Sequence, residues 1–114
     1  MGDRAQVRIV GNLDHAVYLY THWTGSTLPE TVRNALDRGR DHWDNPSYLA
    51  RIIFCEMVKG DVDGTTGFGI DTAEHGDTQH SLITVDCRSK TVTIGPSSWT
   101  MDAFIAWSGC PSTL

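Results

Sequence analysis

The stretch Ala16-Val-Tyr-Leu-Tyr-Thr-His-Trp-Thr-Gly-Ser-Thr-Leu-Pro-Glu30 decides the fold, because a strand pattern changes into a helix pattern within it. Residues 16–23 are rich in β-branched and aromatic side chains, which favour a strand. Side chains alternate along a strand, so one face takes Val17, Leu19, Thr21 and Trp23 and the other takes Tyr18, Tyr20 and His22. Thr27-Leu-Pro-Glu30 combines an N-cap threonine, a first-turn proline and a capping-box glutamate, which predicts a helix from about Leu28.

The residues on either side of this stretch extend the pattern. Residues 6–10 alternate apolar and polar side chains and, with a turn at Gly11-Asn12, predict a hairpin with residues 16–23. Gly39 marks the end of the first helix, and Asp44-Asn-Pro46 opens a second helix that runs to about Val58. The second helix is apolar around much of its circumference. We therefore expect it to be buried on more than one side, either centrally in the domain or against a second subunit.

Short strands and a terminal helix are expected in the second half of the chain. The strand signals are Phe68 to Ile70, Leu82 to Cys87 and Thr91 to Ile94, which predict a three-stranded antiparallel meander. Helical spacing from Trp99 to Trp107 favours a short last helix. The order ββααβββα is typical of an α+β fold, with helices packed on one face of an antiparallel sheet. At 114 residues, the chain predicts a single domain over residues 1–114, with a frayed tail at 109–114.

Charge and cysteine content exclude several classes of partner. The net charge is −5, and it lies entirely in residues 61–114, because residues 1–60 hold seven basic and seven acidic groups. An acidic chain without a basic run has no electrostatic surface for duplex nucleic acid or an anionic membrane.

The cysteines lie far apart and the N-terminus has no apolar leader, so we expect a cytoplasmic protein. The three cysteines are Cys55, Cys87 and Cys110.

A candidate ligand site lies where the strand pattern runs into the helix. The loop there offers backbone N–H groups, hydroxyls and the positive end of a helix dipole, which suit a phosphate or a carboxylate. The loop residues are Thr24, Gly25, Ser26 and Thr27. His22 and Trp23 flank the loop, where a histidine can donate to phosphate and a tryptophan can stack on a ring. The alternative is that Trp23 belongs to the core and that the loop is only a connection, with Glu30 at the cap.

Two further residues complete the predicted site. Arg51 lies within an apolar helix, where a guanidinium needs a charged partner or a ligand. Asp71 follows Gly67-Phe-Gly-Ile70 and can accept hydrogen bonds at the end of a strand. The alternatives are an ion pair of Arg51 with Glu56 or Asp71, exposure of Arg51 on the polar side of the helix, and simple solvation of Asp71.

The sequence holds no motif for a metal, a cofactor or nucleophilic catalysis. His75 and His80 share a loop, but no second ligand cluster has a fixed spacing, so we predict no metal site and no cofactor. Neither a nucleophile elbow nor a zinc-protease motif occurs, which favours binding over catalysis. Spatial proximity is not excluded by distance in sequence, which leaves open an acid–base pair of His22 with Asp71 or Glu56.

Three segments carry a resemblance to a known family. They are Tyr18-Leu-Tyr-Thr-His-Trp23, Tyr48-Leu-Ala-Arg-Ile-Ile-Phe54 and Gly67-Phe-Gly-Ile70. On these motifs the chain, from about residue 6 to residue 94, resembles a family of small, largely uncharacterised bacteriophage and bacterial proteins. Small phage proteins of this size often act against host immunity, some by sequestering nucleotide signals in the pockets of oligomers. The resemblance implies that class of function by analogy and implies no established activity.

The sequence therefore favours a homo-oligomer, assembled through the helix at 46–58, that holds a small anionic or nucleotide-derived ligand. The ligand is expected near residues 22–27, with help from Arg51. A first alternative is an inhibitor whose acidic segment, Asp61 to Asp77, blocks a basic host protein. A second alternative is a small nucleotide hydrolase, which would convert the ligand instead of retaining it.

Overall fold

Six strands and three helices make up the part of the chain that the structure describes. The structure is a computed structural model, and it describes residues 2–11 and 16–106. The strands are β1 (Ala5–Val10), β2 (Ala16–Thr21), β3 (Phe68–Asp71), β4 (Ile83–Asp86), β5 (Thr91–Ile94) and β6 (Ser97–Thr100). The helices are α1 (Leu28–Arg38), α2 (Pro46–Met57) and α3 (Met101–Ala106), and single 3-10 turns span Gly25–Thr27 and Arg40–His42. The strands form one sheet in the order β3-β2-β1-β4-β5-β6.

Strand β1 has neighbours of opposite direction on its two flanks. The predicted hairpin is confirmed, because β2 pairs antiparallel with β1 and places Leu19 opposite Val7. On the other flank β4 pairs with β1 in parallel, and Ile83 lies opposite Val7. Antiparallel pairing continues through β5 to β6 at the far edge. The sheet is therefore mixed, with antiparallel pairs predominating.

The predicted three-stranded meander is wrong. Strand β3 pairs with β2 at the sheet edge, with Ile70 opposite Leu19, and β4 lies beside β1. This arrangement buries Ile83 and Val85 of β4 next to the apolar residues of β1. A separate meander would leave one flank of β1 without backbone hydrogen bonds, which is costly in a buried strand.

The apolar core lies between one face of this sheet and the helices. Its strand residues include Val7, Ile9, Leu19, Ile83, Val85 and Val92, and its helix residues include Leu28, Val32, Leu36, Leu49, Ile53 and Phe104. This arrangement confirms the predicted α+β fold with helices on one face. None of the described helices covers the opposite face, which we call the open face. It carries Gln6, Arg8, Tyr18, Tyr20, Thr84 and Thr93, the residues that alternate with those of the core.

Helix α1 begins at Leu28 as predicted, but the predicted capping box does not form. The Thr27 side chain makes no cap hydrogen bond to the helix. Its hydroxyl instead donates to the backbone carbonyl of Thr24 at 3.1 Å. Helix α2 follows its cap signal more closely, since Asn45 Oδ1 accepts a hydrogen bond from the Tyr48 backbone N–H at 3.3 Å.

The segment predicted as the last helix begins with a strand residue. Trp99 lies in β6, a strand that the sequence pattern did not indicate, and α3 begins at Met101. Thr100 caps this helix, because its hydroxyl oxygen accepts a hydrogen bond from the Ala103 backbone N–H at 3.1 Å. The predicted frayed tail at 109–114 lies outside the described residues.

Truncation of a core residue of α1 tests the assigned inner face of that helix. Leu36 is 0% exposed, so Leu36→Ala should lower the free energy of unfolding by about 2–5 kcal/mol through lost burial and the cavity that remains. The matched control is Asn34→Ala on the exposed side of the same helix, which should change it by less than about 0.5 kcal/mol. Urea unfolding followed by circular dichroism measures both, and equal losses would contradict the assignment.

Candidate functional site

The loop between β2 and α1 holds an anion that belongs to the chain itself, the carboxylate of Asp3. The backbone N–H and the hydroxyl of Ser26 donate to Asp3 Oδ2 at 2.9 and 2.7 Å. The Gly25 N–H donates to the Asp3 backbone carbonyl at 2.8 Å. A Cβ on Gly25 would lie 2.5 Å from that carbonyl oxygen, so the close approach requires glycine. The turn thus has the predicted anion-binding chemistry, and an internal group uses it.

The remaining polar groups of this loop are also engaged internally. Thr24 Oγ1 lies 2.6 Å from Thr21 Oγ1, and the Thr27 hydroxyl donates to the Thr24 carbonyl. On its other side the Asp3 carboxylate pairs with the His80 ring. An external phosphate or carboxylate would therefore have to displace Asp3 before it could reach the donors of this turn.

These contacts favour the charged form of Asp3. They lower its pKa from 3.8 to about 2. The largest cause is the hydrogen bond from the Ser26 backbone N–H, followed by those from His80 and from the Ser26 hydroxyl.

His22 and Trp23 follow β2 at the border of the open face. His22 Nδ1 lies 2.9 Å from the Tyr20 hydroxyl oxygen, and the His22 and Trp23 rings meet edge-on with centroids 4.9 Å apart. Trp23 is 56% exposed. The alternative that Trp23 belongs to the core is therefore wrong, because β2 ends at Thr21 and the strand alternation ends with it. Gly67 allows the indole to approach the chain, since its φ is +96° and a Cβ there would lie 2.6 Å from Trp23 Cζ3.

Asp71 ends β3 on the side of the open face and pairs with a histidine that the site prediction did not include. Asp71 Oδ2 lies 2.7 Å from His75 Nε2. The hydrogen bond from the Thr72 backbone N–H, and then the one from His75, lower the pKa of Asp71. The His75 ring lies against the Tyr20 ring, with centroids 4.9 Å apart. The carboxylate–histidine pair on the open face is therefore Asp71–His75, and His22 is linked to it through Tyr20.

Arg51 lies on the helix side of the sheet, away from His22. Its exposed side chain borders a groove beside Ile70 of the edge strand. Glu56, a predicted partner of Arg51, pairs with other cations, and in the described part of the chain Arg51 forms no ion pair. The structure thus keeps Arg51 apart from His22 and Trp23. The ligand-binding roles of the residues at 22–27, Arg51 and Asp71 stay predictions.

A transverse row of polar side chains crosses the middle of the open face. Residues directly opposite each other on neighbouring strands share a face, and the row consists, from one sheet edge to the other, of Asp71, Tyr18, Arg8, Thr84, Thr93 and Ser98. Arg8 Nη2 donates to Thr84 Oγ1 at 3.0 Å. Arg8 Nε is shielded from solvent, and no described residue accepts a hydrogen bond from it. Within the same residues Arg8 forms no ion pair, which leaves a half-buried cation at the centre of the face.

The segment 72–82 covers one end of the open face and borders the row of polar side chains on that side. Gln6 is 1% exposed, and its side chain anchors this segment to β1 through hydrogen bonds. Its side chain accepts a hydrogen bond from the His75 backbone N–H at 2.8 Å and donates to the Ala73 carbonyl at 3.3 Å. Arg4 adds an ion pair with Asp77 at 2.6 Å. Among residues 2–11 and 16–106, this segment leaves the row around Arg8 uncovered.

Sequence reasoning missed Arg8, Thr84 and His75 as site residues. The signal for Arg8 was present, because Val7-Arg8-Ile9 alternates and sends the guanidinium to the face opposite the core. No local pattern could place Thr84 beside it, since that contact depends on the parallel pairing of β1 with β4.

Comparison with known proteins leaves the function to be argued from this geometry. No family model matches the chain, and neither the curated proteins nor the solved structures include a significant match. The family resemblance of residues 18–23, 48–54 and 67–70 therefore stays a prediction. None of the described helices has the length and apolar character needed to cross a membrane. Within residues 2–11 and 16–106, no three or more His, Cys, Asp or Glu side chains group together as a metal site would require.

Removal of the Asp3 carboxylate tests its role as the internal anion of the loop. Asp3→Asn should lower the free energy of unfolding by about 1 kcal/mol near neutral pH, as the loss of a helix-capping carboxylate does. Because the folded pKa is lowered from 3.8 to about 2, the carboxylate stabilises the fold fully above pH 3.8, and that stabilisation is lost as pH falls through about 2. Urea unfolding of both proteins across this range measures the difference. A difference that stays constant down to pH 2 would refute the assignment.

Proposed function

We propose that the protein binds a small anionic ligand that carries an aromatic ring, of the nucleotide-derived class, on the open face around Arg8. The observation that supports the proposal is the half-buried Arg8 guanidinium, which has a shielded Nε without a partner among the described residues. A cation withdrawn from water is costly unless it is paired. A phosphate or carboxylate group is the counter-charge that a guanidinium recognises best, because two of its oxygens can accept two parallel hydrogen bonds.

The neighbours of Arg8 suit the remainder of such a ligand. Tyr18 lies directly opposite Arg8 on β2, and a tyrosine ring on a sheet surface can stack on a base. Thr84 and Thr93 add hydroxyls that can donate to and accept from sugar or phosphate oxygens. Of the residues predicted from sequence, His22 and Asp71 lie at the border of this site.

The function proposed is binding without conversion, in a homo-oligomer in which the ligand is sequestered. The resemblance to small phage proteins is what suggests an immune signal as the ligand. The alternative of an acidic inhibitor gains less support, since two carboxylates of its acidic segment are paired within the chain. Asp71 pairs with His75 and Asp77 with Arg4.

A nucleotide hydrolase is the second candidate, and the Asp71–His75 pair is the observation that favours it. A carboxylate that orients a histidine is a common arrangement for general-base catalysis. His75 contacts Tyr20 at the border of the open face. The two candidates differ in the fate of the ligand. Nucleotide recovered intact after incubation and denaturation supports binding, and recovery of a product supports the hydrolase.

Calorimetry with a panel of nucleotides tests the proposed site. The probes are adenosine and guanosine mono- and diphosphates, cyclic dinucleotides and inorganic pyrophosphate, the last of which lacks a ring. Arg8→Gln should weaken binding of the tightest probe at least about tenfold, because it removes a charge-assisted hydrogen bond. Tyr18→Ala should weaken the ring-bearing probes and leave pyrophosphate unchanged, whereas Tyr18→Phe should retain most of the affinity.

Arg51→Gln is the matched control, because it removes the same charge on the helix side of the sheet. It should leave the affinity unchanged. Loss of binding in Arg51→Gln with full binding in Arg8→Gln would instead support a pocket at residues 22–27 completed by Arg51. Absence of binding to every probe would contradict the proposed function.

A further inference from the structure

An apolar strip lies on the helix side of the sheet, between α2 and the edge strand β3. Its main residues are Val17, Ala50, Phe54, Cys55, Val62 and Ile70. Ile70 is 63% and Val62 is 75% exposed, and Cys55 is also exposed. Large apolar side chains left in water on one continuous surface are typical of a protein interface. The strip also accounts for the unusually apolar sequence of α2, because only Leu49, Ile53 and Met57 of that helix are fully buried.

Opposite charges stand at the two ends of the strip. Arg51 borders the end near Val17, and Asp61 borders the end near Val62. Phe54 and Cys55 border both the part of the strip near Arg51 and the part near Asp61, so they lie between the two charges. In the described part of the chain, neither Arg51 nor Asp61 forms an ion pair. A helix rises about 1.5 Å per residue, so Arg51 lies roughly 6 Å along α2 from Cys55, with Asp61 beyond the opposite end of the helix.

We infer that this strip is the interface of a two-fold symmetric dimer, and that its occupant is the same strip of a second copy. In such an interface one patch meets itself in reverse. The rotation that brings the two apolar strips together also brings Arg51 of each copy to Asp61 of the other. The surface is therefore complementary to itself in charge as well as in apolar character, which a random apolar patch is not.

The dimer interface and the proposed ligand site lie on opposite sides of the sheet. Arg8 and Tyr18 point away from the core, whereas the strip lies beside α2. The inferred dimer thus specifies the homo-oligomer of the proposed function, and its formation does not require the proposed ligand. A failure of nucleotide binding leaves the dimer intact, and a monomeric protein leaves the open face unchanged.

Charge reversal provides a test that only a self-complementary interface passes. Arg51→Glu alone, or Asp61→Arg alone, places two like-charged pairs in the homodimer and should weaken it at least about tenfold. In a one-to-one mixture of the two variants, the reversed charge at position 51 of one meets the reversed charge at position 61 of the other, and the native charges form the second pair. The mixture should therefore dimerise like the wild type. Sedimentation equilibrium of each variant and of the mixture measures this.

Two further variants test the apolar part of the strip. Ile70→Asp should dissociate the dimer without unfolding the chain, since Ile70 is exposed in one copy. Arg88→Glu is the matched charge control, because Arg88 is exposed at the β4–β5 turn, far from the strip, and it should leave the dimer unchanged. A wild type that stays monomeric overturns the inference, and so does a dimer that is insensitive to Ile70→Asp or a mixture of the reversed variants that stays monomeric.

Cross-linking tests independently whether the two-fold axis passes near Cys55. Cys55 lies in the middle of the strip, so mild oxidation in a Cys110→Ser background should link two copies through Cys55. Cys87 does not compete, because it is buried and burial raises the pKa of its thiol to about 11. A dimer with no cross-link through Cys55 would overturn the assigned position of the axis.

Discussion

Backbone hydrogen bonding on both flanks of β1 sets the layout of this molecule. With β2 on one side and β4 on the other, β1 is a central strand. Its side chains alternate between the core face and the open face of the sheet. Val7 and Ile9 enter the core with the helices, while Gln6 and Arg8 enter the open face. The central position is also the reason that Arg8 is half-buried. On an edge strand its long side chain would reach solvent, but here neighbours on both flanks enclose its stem.

Much of the fold follows from patterns that act over a few residues. The hairpin, the start of α1 at Leu28 and the Asn45 cap of α2 depend on alternation, proline and cap residues within one segment, and these predictions are confirmed. The prediction of a meander is wrong because the local sequence of a short strand, such as β3 or β4, does not indicate which strand it pairs with. Which strand lies beside β1 is decided by which apolar residues complete the core, and that is a long-range contact.

For the candidate site too, local sequence patterns predict some features, and the others depend on contacts between residues far apart in the chain. The donors of the loop at 24–27 predict an anion site, and one of these residues, Ser26, donates to the Asp3 carboxylate, while binding of an external anion there stays a prediction. That the anion is Asp3 could not be read from the loop, because Asp3 reaches it only through the fold. Arg51 and Arg8 both interrupt apolar patterns, and sequence alone favoured Arg51. The fold exposes Arg51 and half-buries Arg8, so the need for a counter-charge is greater at Arg8.

The net charge of −5 appears unfavourable for an anionic ligand, but charges act locally at physiological salt, where screening extends over about 8 Å. Of the carboxylates on or beside the open face, Asp71 pairs with His75 and Asp77 with Arg4. Asp86 accepts hydrogen bonds from the backbone N–H groups of Arg88 and Ser89. Asp61, by contrast, belongs to the apolar strip on the other side. Dimerisation through that strip uses the surplus acidic charge against Arg51 and leaves both open faces uncovered. In the proposed dimer each copy would hold its own ligand around Arg8, without a pocket shared between subunits.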